Sequence, residues 1–360
     1  MYKSFTAKNF RCFEDLTVEP LERFNLIAGK NNTGKTALLE ALWQHHGYYN
    51  PQLGHSLAVF RGFRVIKKSE FMWDLFFGFD AARVIELSTR DEQQRPRTLR
   101  MQWRESAVST VSLAEPGDGR DTGFTASDSI AEQSSKPAES EILLDYTSVS
   151  GEATQARASV RGGVIQFEST SHAKEPGGIF LPPHLRRDLP ALAERLSNVA
   201  VAKRKGQILD IVSIIEPDLE DLAVLHQGGI PMIAADVGME RLIPLPFAGD
   251  GMIHLLSIAL AVAEAKGGLL LVDEIENGLH YTVLTKVWRA IAALAREYNV
   301  QFFATTHSFE CIRAAHLAFE QDTQYDFRLH RLDRVKGKIR SVTYDRETLE
   351  AALEMGVEVR

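Results

Sequence analysis

The chain has 360 residues, 44% of them apolar and 25% charged. It can bury a sizeable core in one or two domains, and the composition excludes a disordered or low-complexity protein. A formal net charge of −7 excludes a global attraction to nucleic acid and leaves only local patches for such contact. The two cysteines, Cys12 and Cys311, exclude a disulfide framework and a zinc site, and fit a reducing cytoplasm. Met1 to Phe5 lacks a signal h-region, and no apolar run approaches the roughly 20 residues that span a bilayer, so no membrane contact is expected.

In chain order, Lys3 to Phe10 and Leu16 to Val18 read as strands, and Phe24 to Ala28 as a short buried one. Gly29-Lys30-Asn31-Asn32-Thr33-Gly34-Lys35-Thr36 follows, which fits the P-loop pattern G-x-x-x-x-G-K-[ST]. The chemistry asks for these residue types. Backbone N–H groups at a helix N-terminus point at phosphate, and the glycines let the backbone approach closely. Gly29, Asn31, Asn32, Thr33, Gly34, Lys35, Thr36 and Ala37 form the expected cradle, with Lys35 on the β- and γ-phosphates and Thr36 on Mg²⁺. Ala37 to Trp43 reads as the helix behind it. Arg11 is either a nucleotide contact or a solvated surface arginine. His45-His46 is read as a surface pair, because adjacent helical residues point in different directions. Arg61, Arg64, Lys67 and Lys68 read as a solvated basic face that also suits nucleic-acid phosphates.

Val84 to Ser88 and Thr98 to Trp103 read as paired strands. From Ser106 to about Gly163 the composition turns to Ser, Thr, Gly, Ala and acidic residues. This predicts a β-hairpin insertion with mobile loops over 105–180, its strands at Glu141 to Val149 and Ala156 to Phe167. A small helical unit and a β-meander are expected over 181–245, the helices near Leu189 to Val201 and Gln207 to Ile215. An N-terminal lobe over 1–104 and a C-terminal lobe over 246–360 complete the division.

Leu269 to Val272 is an unbroken apolar run ending in Asp273-Glu274. A strand buried on both faces of a parallel sheet looks like this, and ligands bind at the carboxyl ends of such strands. Asp273 is the expected Mg²⁺ support, and Glu274 the acceptor of a proton from an attacking water. Val300 to Thr305 repeats the pattern and leads to His307, a candidate γ-phosphate sensor. Val283, Val287, Ile291 and Leu294 recur at helical spacing between the two strands. Gly249-Asp250-Gly251 precedes the apolar helix Ile253 to Ala263. It is a second anion site, redundant within one chain and sensible as a cap on the nucleotide of a second copy.

Five stretches together resemble the ABC/SMC-type ATPases of the AAA family, related to the ATPase half of OLD-family nucleases and to RecF-like repair proteins. They are Asn9-Phe10-Arg11, Gly29 to Thr36, Gly249-Asp250-Gly251, Asp273 to His280, and Thr305 to Ser308. The resemblance implies an α/β P-loop fold of ABC-head type, with a mostly parallel central sheet, an antiparallel β subdomain and a small helical subdomain. It implies ATP and Mg²⁺ held between two heads, with Gly249 to Gly251 as the signature loop, Asn277 to His280 at the D-loop and His307 as the switch histidine. Ala248 stands where related ABC proteins often carry serine. The stretch after His307 is expected to be too short for the metal-dependent nuclease domain of OLD proteins. Tyr325 to Tyr344 reads there as a basic hairpin, able to meet DNA or to lie solvated. Three roles follow: an ATPase that regulates a separate effector such as a nuclease or toxin in phage defence, a RecF-like head that binds DNA directly, and a nucleotide-gated scaffold without turnover.

Overall fold

The computed structural model describes residues 1–61, 72–105, 140–161, 164–170, 177–183, 188–322 and 325–360. Two sheets enclose one helix. The first has seven strands in the order β2-β1-β4-β5-β6-β7-β8, every neighbouring pair antiparallel. These are β1 (Ser4–Phe10), β2 (Phe13–Val18), β4 (Ile85–Arg90), β5 (Pro96–Glu105), β6 (Ser140–Thr147), β7 (Ala153–Arg161) and β8 (Val164–Ser169). β4 and β6 alternate buried with partly buried residues, as strands covered on one face do.

The second sheet has six strands in the order β16-β15-β3-β14-β13-β9. They are β3 (Phe24–Ala28), β9 (Gly178–Leu181), β13 (Leu269–Val272), β14 (Gln301–Thr305), β15 (Phe327–Val335) and β16 (Lys338–Tyr344). Only β15 and β16 pair antiparallel; the other four pairings are parallel, as expected for the central sheet. Every residue of β3, β13 and β14 is buried, because alternate side chains feed two different cores. Phe24, Leu26, Leu270, Val272, Phe302 and Ala304 face one core. Ile27, Leu269, Leu271 and Phe303 face the other, which they share with helix α1 (Lys35–His46) and the antiparallel sheet. The first core is completed by α5 (Asp250–Glu264), α6 (Leu284–Glu297) and α7 (Phe309–Phe319), with Trp288 at its centre.

α2 (Gln52–Phe60) lies between β3 and β4 in sequence, and α3 (Leu189–Val201), α4 (Lys205–Val212) and the meander β10 (Asp221–Gln227), β11 (Ile230–Asp236) and β12 (Ile243–Pro244) between β9 and β13. The last helix, α8 (Arg346–Glu354), opens on an Asp345–Thr348 capping box. Among the described residues no helix is long and apolar enough to cross a membrane.

Several expectations are corrected. The stretch 156–167 is not one strand: β7 ends at Arg161 and β8 begins at Val164. Nor do β6 to β8 form a separate hairpin. The Met101↔Leu144 and Ile142↔Ala158 pairings carry the antiparallel sheet straight through, so the division at 105 falls at the end of β5, and the division at 180 cuts β9. His45 and His46 are buried rather than exposed. Tyr2, Phe5 and Tyr146 surround His45 edge-on, and burial pulls its pKa down to about 3. Of the basic cluster Arg61, Arg64, Lys67 and Lys68, all but Arg61 lie outside the described residues, as do most of the expected loops of 105–180.

Candidate active site

Parallel register decides where the site lies. Val272 pairs with Ala304 and with Leu181, and Ala304 pairs with Leu26. β3, β13 and β14 therefore end at one level, and the loops after them meet at one edge.

The loop after β3 turns at Gly29, whose φ is +143°. A Cβ there would lie 2.6 Å from the Leu332 carbonyl of β15, so that position cannot take a larger residue without moving the strand. Gly34 has φ +93°, and a Cβ on it would meet Cys12 Sγ at 2.7 Å and the Phe13 ring at 2.8 Å. No side chain caps α1 at Gly34, and its first turn has no acid, which leaves its N–H groups available to an anion. Thr33 donates to the Lys30 carbonyl at 2.8 Å. Asn31 and Asn32 are exposed, while Lys35 and Ala37 are buried. Lys35 Nζ donates to the Gly29 and Lys30 carbonyls at 2.7 and 3.0 Å. Burial pulls its pKa down to about 8, with Asp273, Glu274 and Glu276 acting in the opposite direction.

Asp273, only 4% exposed, receives the Thr36 hydroxyl at 2.8 Å on one carboxylate oxygen and the Thr305 hydroxyl on the other. Thr305 Oγ1 in turn accepts the Glu274 N–H at 2.8 Å. One unbroken chain of hydrogen bonds thus joins α1, the end of β13 and the end of β14. Glu274 sits at φ +54°, a left-handed conformation uncommon for its type, and Asn277 Nδ2 donates to its carboxylate. His307 is exposed, and its N–H is held by Glu276 Oε1 at 2.8 Å. The neighbouring Thr306 N–H binds the Ile27 carbonyl at 3.0 Å. The side-by-side oxygens of Thr36 and Asp273 suit a hard divalent cation such as Mg²⁺.

The remaining predicted residues are placed differently. Gly249 (φ +96°) starts α5, with Asp250 in the first turn. Gly251 packs on the Asn277 to His280 turn: a Cβ on it would lie 2.4 Å from the Gly278 carbonyl. Arg11 is corrected from a nucleotide contact or surface residue to a buried ion pair. Its Nε lies 2.6 Å from Glu40 and its Nη1 3.0 Å from Asp74, with the side chain 8% exposed. Arg61 forks onto the same Glu40 with two bonds of 2.9 Å.

The basic hairpin forms as expected, β15 and β16 pairing antiparallel with Arg334, Lys336, Lys338 and Arg340 exposed, but several of its cations are paired. β15 is an inner strand of the parallel sheet. Arg328 faces Glu22 at 3.6 Å, Arg331 binds Asp333 at 2.8 Å and Lys338 binds Glu14 at 3.1 Å. Arg334 donates to the Asn32 carbonyl of the P-loop at 2.9 Å. Sequence reasoning missed Glu40, Asp74, the contact of Arg334 with the P-loop and the bridging role of Thr305. Only Thr305 left a signal, as the polar end of an apolar strand.

Three comparisons with known proteins bear on the family and the fold. An "ATP/GTP phosphatase" of Helicobacter pylori is 25% identical over 376 residues, covering 98% of each chain. An uncharacterised protein of Methanocaldococcus jannaschii is 48% identical over 42 residues, 12% of this chain and 19% of that one. The fold matches an SMC head solved bound to the C-winged helix domain of ScpA, at TM-score 0.52 and 12% identity, over 98% of this chain and 99% of that one. Residues 24–312 match the family model described as "AAA domain, putative AbiEii toxin, Type IV TA system". The match takes in the P-loop, both apolar strands and the loops that follow them, and the chain belongs to this family of AAA-domain proteins, with the α/β fold of an ABC-type SMC head.

Proposed function

We propose that the chain is an ATPase that hydrolyses Mg²⁺–ATP, closes on a second copy of itself through the nucleotide, and by that cycle regulates a separate effector protein. The observation that carries the reading is the Thr36–Asp273–Thr305–Glu274 chain of hydrogen bonds. It ties a phosphate cradle to a carboxylate that can act as a base. The H. pylori relative named for ATP/GTP hydrolysis supports the reaction. The toxin named in the family description supports a place in a toxin–antitoxin system.

In this reading the P-loop amides and Lys35 hold the phosphates, and Thr36 and Asp273 hold the metal. The bound Mg²⁺ supplies charge neutralisation on the phosphate oxygens. Glu274 takes the proton of the attacking water, and His307 steadies the γ-phosphate. The protein's work is positioning and electrostatic stabilisation. Gly249, Asp250 and Gly251 cap the nucleotide of the second copy.

The test is phosphate release from Mg²⁺–ATP. Glu274→Gln lowers turnover by roughly 10²–10⁴-fold while ATP remains bound. A parent that releases no phosphate, or a variant that works at the parental rate, overturns the assignment. Light scattering with a non-hydrolysable ATP analogue measures the pairing. A particle that stays monomeric removes the second copy from the scheme. An effector is expected to co-purify and to be identified by mass.

A further inference from the structure

His254 lies on α5, 2% exposed, with no role in the scheme above. Its Nε2 is 2.7 Å from the carbonyl of Ile275, the residue directly after Glu274. A carbonyl only accepts, so Nε2 carries the proton and His254 donates. The other side of Ile275 is held as well, its N–H bonding the Thr305 carbonyl at 3.1 Å. Ile275 is therefore clamped between β14 and α5.

The same helix face grips the far end of this turn. Gly251 and His254 are three residues apart, which places them on one side of α5. Gly251 presses on Gly278, close enough that a Cβ on Gly278 would lie 3.2 Å from the Gly251 nitrogen. Two successive turns of α5 thus contact both ends of the 275–278 segment. Within that segment Asn277 donates from its backbone N–H to the Glu274 carbonyl at 3.1 Å, and from its side chain to the Glu274 carboxylate.

We infer that His254 is a positioning residue for Glu274, and that it makes α5 the lever through which the Gly249–Gly251 loop sets the orientation of the catalytic carboxylate. The left-handed φ of +54° at Glu274 is the reason a clamp is needed. Without a fixed Ile275 carbonyl the backbone relaxes toward a commoner conformation and the carboxylate swings. This inference rests on the reading of Glu274 as the base.

The experiment compares His254→Leu, which removes the donor, with His254→Gln, whose amide N–H₂ can replace it. His254→Leu is expected to lower kcat by about 10-fold or more with ATP affinity kept within about twofold, and His254→Gln to restore most of the rate. Melting curves accompany both. A His254→Leu rate within about twofold of the parent overturns the inference. So does a loss of rate, affinity and melting temperature in parallel that His254→Gln fails to relieve. Histidine ¹⁵N NMR on the parent reads the tautomer without any turnover: the Nε2-protonated form is expected, and the Nδ1-protonated form refutes the clamp. A parent without phosphate release counts against the proposed function, and the NMR result then decides this inference alone.

Discussion

Replacing Arg11 by methionine separates a buried ion pair from a nucleotide ligand. Methionine keeps an unbranched apolar stem and removes the guanidinium. Glu40, 2% exposed, loses its partner at 2.6 Å but keeps the two 2.9 Å bonds from Arg61, whose side chain is 41% exposed. Deleting one member of a buried pair costs about 3–5 kcal/mol because the other charge is left uncompensated. Arg61 still neutralises Glu40, so the expected cost is lower, about 2–3 kcal/mol. The corresponding fall in melting midpoint is roughly 3–4 °C for a chain of this size. Arg61→Met, removing a half-exposed partner, costs about 1 kcal/mol. Adding Glu40→Leu to Arg11→Met recovers part of the loss, since an apolar pair replaces a buried carboxylate left with Arg61 as its partner. Urea unfolding of the parent, Arg11→Met, Glu40→Leu and the double variant gives the cycle, and calorimetry with ATP gives affinity. An Arg11→Met protein within about 0.5 kcal/mol of the parent refutes the structural role. Lost ATP affinity at unchanged stability refutes it differently, by returning Arg11 to the nucleotide.

Two further outcomes are expected. Thr305→Val removes the hydroxyl shared by Asp273 and the Glu274 N–H. It lowers turnover about 10-fold while Thr305→Ser stays near the parent, and equal rates for the two in a phosphate-release assay would contradict the bridge. Lys35 has a folded pKa of about 8 against an ordinary 10.5, so between those values the unfolded chain holds more protons. Burying its charge costs stability below about pH 8 and the cost is relieved as pH rises toward 10.5. Urea unfolding across that window shows the gain in the parent and not in Lys35→Met; parallel curves would contradict the shift.

The parallel half of the fold was legible because its signal is local. Phe24 to Ala28, Leu269 to Val272 and Gln301 to Thr305 are each buried on both faces, so each shows as an apolar run, and each ends where the site begins. The antiparallel half was legible only strand by strand. β5 and β6 are separated by the Ser-, Gly- and acid-rich stretch, and nothing local in Thr98–Trp103 shows that it pairs with Ile142–Thr147. Charged residues misled for the same reason. Arg11 and Glu40, or Arg334 and Asn32, are far apart in sequence. A cation whose partner is distant reads as a solvated one until the fold brings the partner in. His45 and His46 failed through burial: the helix geometry was right, but α1 is covered by both sheets, so neighbouring directions are both interior.

The charges at the sheet edge constrain the ligand. Asp273, Glu274 and Glu276 all act on the ammonium of Lys35. The same edge presents an uncapped helix N-terminus and glycines pressed against β15 and β2, features that suit an anion. A free polyphosphate would meet repulsion from these carboxylates. A polyphosphate arriving with a divalent cation removes the conflict, because the metal meets Asp273 and Thr36 while the phosphates meet Lys35 and the amides. The side-by-side placement of an acid and a hydroxyl at 2.8 Å is what that pairing requires. On the proposed function, the unit that this edge recognises is the metal–nucleotide complex.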